Sequence, residues 1–380
     1  MDTHRLEEER RQREEAERRA DEANRRADKE RRQREEADRR ADKAEKRVEK
    51  TNLPTFLDAL HTEIFLGLQV PTDKTQTTRG DPVNATDKLR PRKIKIWQSF
   101  AAEQQKVWQQ LMKSSLVEEK LFSSLGGLEN FKDYFRDFRV GSGIDLNHFI
   151  RSAVEVNVSN IVKELYKDPT LREAFGLKGS IQFENHANTL SPEQEIEDGV
   201  RDLVISPRPT APRRSRRLAG RAQREPDVTT PPPPSTPAPT TVTRPRADQF
   251  CVYNIPGERS ETSRRVAAYI KEVKYPHRVT LGHIYGGLED MDVDQVLKEK
   301  RKETKEDPLR RVMAGLLTQP FDYMIRAGTK RAVFSTGEAD IYLRIDEDPS
   351  TLFYHLSVPK GDVEIQQAGI PPLTVRIAYI

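Results

Sequence analysis

The sequence predicts an α/β protein in which most strands lie in the last third of the chain, together with one long helix. Two stretches rich in β-branched and aromatic residues, DQFCVYNI from Asp248 and VAAYIKEVK from Val266, predict neighbouring strands. A helix is predicted around Pro308–Ala327, and KRAVFST and ADIYLRI predict a closing hairpin that turns at Gly337. Strands that flank one long helix in this way are typical of an α/β domain.

The composition indicates that part of the chain builds no core. Of the 380 residues, 35% are hydrophobic and 33% are charged, with a formal net charge of +4, whereas globular chains are typically about 45–50% apolar. The single cysteine, Cys251, excludes an internal disulfide and a Cys-rich zinc site. The N-terminus is charged and no run of about 18 apolar residues occurs. The sequence therefore predicts an intracellular, soluble protein without a signal peptide or a membrane span.

The first 50 residues predict a long charged helix. They contain 18 Lys and Arg and 17 Asp and Glu, and the phrase ERRQREEA at Glu9–Ala16 recurs after 21 residues, which is three heptads. A heptad grid places small or apolar residues on one seam: Leu6, Ala16, Ala20, Ala23, Ala27, Ala37, Ala41, Ala44 and Val48. This spacing favours a coiled coil that pairs with itself or with a partner helix, although Arg13, Glu30 and Arg34 also fall on the seam. A solitary helix, held by Glu–Arg pairs worth about 0.2–0.5 kcal/mol each, is the alternative that the sequence leaves open.

Residues 51–138 predict a helical domain. Two sets of apolar residues recur at helical spacing, and both tryptophans, Trp97 and Trp108, belong to the second set. The stretch TDKTQTTRGDPVNATDKLRPRK between the two sets predicts a polar loop. The tryptophans are therefore expected in a core.

Residues 139–190 predict one more helix and a short strand. The helix covers Leu146–Tyr166, and Glu155 lies beside its apolar face. The strand covers Ser180–Phe183 and is followed by polar sequence.

Residues 191–246 predict a disordered basic linker. From 206 to 246 the chain has 11 of its 25 prolines and 9 arginines against two acidic residues, a composition that cannot bury enough apolar surface to fold. The stretch PRRSRRLAGR is typical of a nuclear import signal or of a nucleic-acid contact, which predicts a nuclear protein. The arginines that would make such contacts are Arg213, Arg214, Arg216 and Arg217. A solvated linker without a partner is the alternative.

Two charged residues interrupt the end of the second predicted strand, where apolar side chains are expected. Because side chains alternate along a strand, Glu272 and Lys274 point to one face and Lys271 to the other. Pairing of the two strands would bring Asp248 to the same region as Glu272. Two carboxylates at a sheet edge can hold Mg²⁺ or Mn²⁺, and a neighbouring lysine can orient water and stabilise charge on phosphate. Asp248, Glu272 and Lys274 therefore predict a metal-dependent site for phosphodiester hydrolysis.

The predicted helix after these strands carries a further polar pair. Gln319 and Tyr323 lie four residues apart, so on a regular helix they would share one face. From there they would contact a nucleic-acid backbone or orient Lys274. Pro320 directly follows Gln319, and an internal proline disfavours helical geometry at the preceding residue. The sequence therefore leaves open whether the two side chains meet.

The candidate residues, in chain order, resemble the motifs of the PD-(D/E)XK nuclease superfamily, in the lineages with a downstream Q-x-x-x-Y motif. They are Asp248, Glu272-Val-Lys274 and Gln319-x-x-x-Tyr323. Over roughly residues 50–363 the chain is also similar to a group of uncharacterised fungal proteins assigned to that superfamily. The phrases that carry this likeness are FLDALHTEIFLGLQV, GDPVNATDKLRPRKI, FENHANTL, RPRADQFCVYN, EVKYPHRVTLGHI and STGEADIYLRIDEDPSTLFYHLSVP. The tail at 364–380 is unlike the group's continuation.

The resemblance implies a restriction-endonuclease-like α/β core with the element order helix, strand, strand, strand, helix, strand. Residues 139–190 would supply the first helix and the first strand. Residues 247–363 would form the main part, with Asp248 opening the second strand. The helical region and the charged N-terminal helix would be additions to this core.

The resemblance also implies the roles of the site residues. Asp248 and Glu272 would bind Mg²⁺ or Mn²⁺ as metal ligands, and Lys274 would assist the attacking water. The supporting residues that it implies are Glu155 on the first helix, Gln319 and Tyr323.

Two functions are consistent with these patterns. The first is a metal-dependent nuclease that hydrolyses nucleic-acid phosphodiester bonds. The second is a catalytically decayed nuclease fold that acts as a scaffold, in which the helix at 1–50 binds a partner and the basic linker binds nucleic acid. The sequence contains no G-x-x-x-x-G-K-[ST] and no G-x-S-x-G stretch, which argues against phosphate-loop nucleotide hydrolysis and against a serine hydrolase.

Overall fold

The computed structural model describes residues 2–65, 67–70, 88–186, 190, 204–205, 247–256, 264–298 and 307–359. Its α-helices are α1 Asp2–Val48, α2 Leu53–Ala59, α3 Phe100–Leu111, α4 Leu125–Arg136, α5 Gly143–Ile150, α6 Val156–Lys167, α7 Pro169–Ala174, α8 Leu281–Gly287, α9 Val293–Lys298 and α10 Asp307–Ala327. Its strands are β1 Leu89–Arg90, β2 Lys93–Ile96, β3 Ser180–Glu184, β4 Val204–Ile205, β5 Gln249–Ile255, β6 Arg264–Val273, β7 Met291–Asp292, β8 Arg331–Ser335, β9 Asp340–Ile345 and β10 Thr351–Ser357. Among the helices in these ranges, none has an apolar stretch long enough to cross a membrane.

Eight of the strands form one mixed sheet, which positions the candidate site. Their order is β3-β5-β6-β8-β9-β10-β2-β7, and β1 pairs separately with β4. β6 and β8 are parallel, as are β10 and β2, while the other neighbours in this sheet are antiparallel. The predicted hairpin forms from β8 and β9, and Gly337 in its turn has a φ of 81°, a conformation that glycine adopts most readily. The predicted α/β class is confirmed.

Both faces of the sheet are covered, and alternation along β6 sends side chains into two separate cores. Tyr269 belongs to a core shared with helices α2 to α6, whereas Ile270 belongs to a core shared with α8 and α10. Strands covered on both faces are buried almost continuously, as the burial of β6, β8 and β9 illustrates. Lys271 and Glu272, in the second half of β6, are therefore buried although they point to opposite faces.

Helix α1 confirms the predicted charged helix at the N-terminus. It is continuous over 47 residues, and its side chains are exposed wherever the structure describes them. Ion pairs four residues apart run along it, for example Glu22 with Arg26 at 2.6 Å. Near its C-terminal end, Arg47 pairs with Glu129 of α4. Association of α1 with a second helix stays a prediction.

The predicted helix over Leu146–Tyr166 forms as α5 and α6, with a π-helical turn at Arg151–Glu155 between them. Ser142 caps the N-terminus, because its hydroxyl accepts a hydrogen bond from the backbone N–H of Asp145 at 3.2 Å. The predicted short strand at Ser180–Phe183 also forms, as β3. Glu155 ends the π-helical turn and is 2% exposed, so it is buried against the sheet.

The region predicted to be a helical domain also contains two strands, and one of them, β2, belongs to the eight-stranded sheet. The stretch interpreted as a polar loop contains β1 and begins β2, and β2 pairs with β10 so that Ile94 lies opposite Leu352. β2 reads Lys-Ile-Lys-Ile with only Ile94 buried, so it is too short and too polar for hydrophobic periodicity to reveal it. The ring of Phe100 in α3 stacks on Tyr342 of β9 with centroids 5.2 Å apart. The helical region and the sheet therefore share a core.

Most of the predicted linker lies outside the described residues, and so does the predicted tail at 364–380. The exception is Val204–Ile205, which pairs antiparallel with Leu89–Arg90. The prediction of disorder is therefore wrong for these two residues, which form a short strand. The arginines proposed for import or nucleic-acid contacts, Arg213, Arg214, Arg216 and Arg217, are among the residues outside the described ranges.

Candidate active site

Antiparallel pairing of β5 and β6 brings the two predicted metal-binding carboxylates together. Gln249 lies opposite Lys271 in the register, so Asp248, one residue before it, lies beside Glu272, one residue after. The Asp248 carboxylate accepts a hydrogen bond from the backbone N–H of Val273 at 2.8 Å. Asp248 is therefore fixed to the end of β6.

Lys274 follows β6 directly and reaches back to Glu272. Its backbone N–H donates to the carbonyl oxygen of Ser335 in β8 at 2.9 Å, which extends the parallel pairing by one residue. Its Nζ donates to Oε1 of Glu272 at 2.6 Å. The Glu272 side chain is 1% exposed and that of Lys274 is 19% exposed, so the lysine bridges the buried carboxylate and the surface.

Helix α10 supplies the predicted Gln and Tyr, and Pro320 does not interrupt it. The amide nitrogen of Gln319 donates to Oε1 of Glu272 and to the hydroxyl of Tyr323, the latter at 3.2 Å. A proline inside a helix costs on the order of 3 kcal/mol. The residues from Met313 to Ile325 are all buried, and this tertiary packing offsets the cost. The two side chains therefore share one face and meet beside Glu272.

Two residues next to this group were not singled out from the sequence. Lys88, just before β1, donates from Nζ to the hydroxyl of Tyr323 at 3.0 Å. Asp322 of α10 accepts hydrogen bonds from the backbone N–H of Leu89 at 3.0 Å and from Nε of Arg326 at 2.8 Å. Lys88 and Tyr323 are 235 positions apart in the chain, so no local pattern connects them. Asp322 gave only a weak local signal, its position beside Tyr323.

The environment shifts the pKa values of the acidic groups upward. Burial, and secondly the negative charge of Asp248, raise the pKa of Glu272 to about 7, while Lys274 and Lys88 oppose that rise. Burial also raises the pKa of Asp248, against the hydrogen bond from Val273. Burial raises the pKa of Tyr323 to about 12, so its hydroxyl keeps its proton at neutral pH. Burial lowers the pKa of Lys88, with Asp322 and Glu272 acting in the opposite direction.

Glu155 does not join this group. It lies on the other side of the sheet, where its Oε1 accepts from Nζ of Lys271 at 3.1 Å and its Oε2 from the side-chain amide of Gln249 at 2.6 Å. The physical reason is strand alternation, since Lys271 points to the face that α5 and α6 cover and Glu272 points to the face that α10 covers. Glu155, which the resemblance implied as a supporting residue, therefore contacts neither Asp248 nor Glu272 in this structure.

The residues present fit a hard divalent cation. Glu272 uses Oε1 for both of its hydrogen bonds, and its buried Oε2 has no hydrogen-bond partner among the described residues. With Asp248 this gives two carboxylates, and Mg²⁺ is usually held by one or two carboxylates together with waters. Within the described ranges, no three His, Cys, Asp or Glu side chains are grouped to hold a metal. These donors suit an ion that keeps several water ligands, and they are too few to supply all the ligands of an ion from the protein alone.

No protein-family model matches the chain, and no solved structure matches it.

Proposed function

We propose that the protein is a metal-dependent, nuclease-like hydrolase of nucleic-acid phosphodiester bonds, built on a core of the PD-(D/E)XK type. The observation that carries the proposal is the convergence of Asp248, Glu272 and Lys274 at the end of β6, with one buried oxygen of Glu272 left without a partner. Buried polar groups in proteins are nearly always hydrogen-bonded, so an unpartnered carboxylate oxygen favours a ligand.

The element order supports the same proposal. Along the chain, α6 is followed by β3, β5, β6, α10 and β8, if the short β4, β7, α7, α8 and α9 are set aside. This is the order helix, strand, strand, strand, helix, strand that the resemblance implied. Fold alone does not define an activity, so the proposal depends on the site residues.

The carboxylates of Asp248 and Glu272 would hold the metal, with Oε2 of Glu272 facing it. A bound Mg²⁺ or Mn²⁺ supplies a Lewis acid for a phosphoryl oxygen and lowers the pKa of a bound water. Gln319 contributes by donating to Oε1 of Glu272, which fixes the carboxylate while Oε2 has no partner among the described residues and is left for the metal.

Lys274 would act on the reacting groups. Its ammonium group has three N–H donors, and the bond to Glu272 uses one of them. The remaining donors can hold the attacking water or a phosphate oxygen and stabilise the negative charge that develops there. The partial exposure of Lys274 allows this contact with a substrate from solution.

The first experiment titrates Mg²⁺ and Mn²⁺ into the full chain by calorimetry, beside an Asp248→Asn/Glu272→Gln double variant. We expect binding in the natural chain and none in the variant. The second measures cleavage of labelled DNA and RNA with Mg²⁺. Lys274→Ala is expected to lower the rate by at least about a hundred-fold, the loss typical of removing a charge-stabilising donor.

Lys330→Ala is the matched control for the cleavage assay, because this exposed lysine pairs with Glu347 away from the site. It should leave the rate unchanged. Metal-dependent cleavage that survives in Lys274→Ala would refute the assigned role. Absence of metal binding in the natural chain would refute the proposed activity itself.

One observation favours the second candidate function, a binding scaffold on a decayed nuclease fold. Helix α1 is long, and its described side chains are exposed, so it offers a surface for a partner helix that catalysis does not require. A scaffold that holds nucleic acid through the basic linker would bind it with a steep salt dependence, and Lys274→Ala would not weaken that binding. Sedimentation of the full chain and of a chain lacking residues 2–48 would detect self-association through α1.

A further inference from the structure

A buried lysine lies beside the carboxylate pair and takes no part in binding the proposed metal. Nζ of Lys88 is 3.0 Å from the hydroxyl oxygen of Tyr323 and 4.2 Å from the centre of its ring. Lys88 is 9% exposed, although lysine is rarely buried without a partner. The bond to Tyr323 occupies one of its three N–H donors, which leaves two for another acceptor.

The hydroxyl of Tyr323 is an acceptor in both of its hydrogen bonds. Gln319 donates to it at 3.2 Å and Lys88 at 3.0 Å. The O–H of Tyr323 must therefore point away from these two donors, and no hydrogen bond among the described residues uses it. Tyr323 and Lys88 thus present neighbouring donors in the same place, next to Glu272.

The position of Lys88 is set by long-range contacts. Asp322, which is 3% exposed, accepts from the backbone N–H of Leu89 and ties the residue after Lys88 to α10. Arg326 donates to the same oxygen of Asp322 and holds that carboxylate in place. These bonds fix the chain on one side of Lys88, so its side chain is presented from an anchored backbone.

We propose that Lys88 and Tyr323 form a subsite for a backbone phosphate of the nucleic acid, adjacent to the phosphate that is cleaved. The identity of the ligand rests on the proposed function. Charge supports the assignment, since Lys88 and Lys274 balance Asp248 and Glu272 before a metal is present, and Arg326 balances Asp322. A divalent cation then leaves an excess of positive charge, which a phosphate next to the scissile one offsets.

The test measures anisotropy of fluorescein-labelled single-stranded and duplex oligodeoxynucleotides with the full chain, in Ca²⁺ in place of Mg²⁺ to prevent cleavage. Lys88→Met keeps the apolar stem and removes the charge, and we expect it to weaken binding about ten-fold, as loss of a hydrogen bond to a charged group does. The slope of log K against log salt should fall by about one, as expected for one lost phosphate contact. Tyr323→Phe keeps the ring and should show a smaller loss of affinity.

Lys93→Met is the matched control, because Lys93 is an exposed lysine on β2. It should leave both affinity and salt slope unchanged, and Lys88→Arg should restore most of the affinity. Thermal unfolding midpoints of each variant separate loss of the subsite from loss of the fold. If Lys88→Met unfolds at a lower temperature than the natural chain, and Lys88→Arg binds the oligonucleotides no better than Lys88→Met does, then Lys88 is a packing residue and the proposal is overturned.

The proposal is also overturned if Lys88→Met binds like the natural chain, or if Lys93→Met weakens binding equally. Calorimetric titration of Mg²⁺ distinguishes the two proposals. Metal binding that persists in Lys88→Met, together with weaker oligonucleotide binding, supports the subsite. A natural chain that binds no metal counts against the proposed activity, and one that binds no oligonucleotide counts against the subsite.

Discussion

Each face of β6 has a buried carboxylate paired with a lysine, and the two carboxylates differ in how many of their oxygens accept hydrogen bonds. On one face Lys271 donates to Glu155, and both oxygens of Glu155 accept hydrogen bonds. On the other face Lys274 and Gln319 donate to the same oxygen of Glu272, and the second oxygen has no partner among the described residues. Leaving a buried acceptor unsatisfied costs roughly 1–3 kcal/mol. The first arrangement is sufficient to stabilise the fold, whereas the second favours a bound ligand.

The difference also appears in the neighbouring charges. Burial raises the pKa of Glu272 to about 7, and the second carboxylate beside it, Asp248, adds to this rise by disfavouring its ionisation. Like charges placed together at the cost of stability are common in sites that bind cations. Comparison of the two faces therefore separates a structural ion pair from a candidate site on the same strand.

The largest expected effect on stability is at the satisfied pair. Glu155→Ala leaves Lys271 buried without its carboxylate, and removing one partner of a buried pair typically costs about 3–5 kcal/mol of unfolding free energy. Glu272→Ala should cost much less, because Lys274 is partly exposed and can be hydrated. Urea denaturation at pH 8 measures both. Equal losses for the two variants would remove the distinction between the faces.

The next effect is a pH dependence that arises from Glu272. Its pKa is about 7 in the fold against 4.5 in the unfolded chain, so between these values the folded state binds more protons. Its contribution to stability is therefore full below pH 4.5 and is lost as the pH rises to about 7, a change of about 3 kcal/mol. Glu272→Gln should remove this part of the loss of stability with rising pH, and it should be more stable than the natural chain at pH 8.

Denaturation curves of the natural chain and Glu272→Gln from pH 4.5 to pH 8 check this expectation. Glu347→Gln is the control, because the pKa of this exposed carboxyl is held below its ordinary value by Lys330, and it should leave the decline between pH 4.5 and pH 8 in place. If the difference between the natural chain and Glu272→Gln is independent of pH, Glu272 is not the titrating group.

A smaller effect is proton release when a metal binds. Because the pKa of Glu272 is about 7, a fraction of the molecules carry a proton there at neutral pH, and a metal ligand must be deprotonated. Mg²⁺ binding at pH 7 should therefore release up to about one proton per site. The enthalpy of binding, measured calorimetrically in buffers of different ionisation enthalpy, reports this number. An enthalpy that is the same in every buffer would contradict it.

The smallest effect is expected for the exposed pairs of α1, which lack the burial that distinguishes the two faces of β6. Glu22→Gln breaks the pair with Arg26, whose side chain is 76% exposed. Such pairs contribute about 0.3–0.5 kcal/mol and are screened by salt. Circular dichroism at low and high salt should show only a slight loss of helix. A large loss would indicate that α1 depends on association with another helix.

Part of the site could be predicted because it is local in the sequence. Glu272 and Lys274 share one strand, and Asp248 opens the strand that pairs with it, so period-two alternation and one antiparallel pairing bring them together. Gln319 and Tyr323 share a helix face once the helix is continuous. The sequence left that continuity open because Pro320 disfavours it, and burial of α10 between β6, β8 and the β1 segment decided it.

The residues that were missed depend on contacts between distant segments. Lys88 reaches Tyr323 across 235 positions, and Leu89 reaches Asp322 across 233. β2 was hidden for the same reason, since its short polar sequence becomes a strand only beside β10. Glu155 was expected near the carboxylates, but which face of β6 its helix covers is a property of packing.

The sequence by itself determined the charged helix α1, the strands β3, β5 and β6, the closing hairpin, and the convergence of Asp248, Glu272 and Lys274. Each of these follows from periodicity, turn residues or one neighbouring pairing, which act over a few residues. Only the tertiary structure decided that Glu155 pairs with Lys271, that Gln319 bonds to one oxygen of Glu272, and that Lys88 lies beside the site. These outcomes depend on desolvation and on hydrogen bonds between segments that come together only when both faces of the sheet are covered.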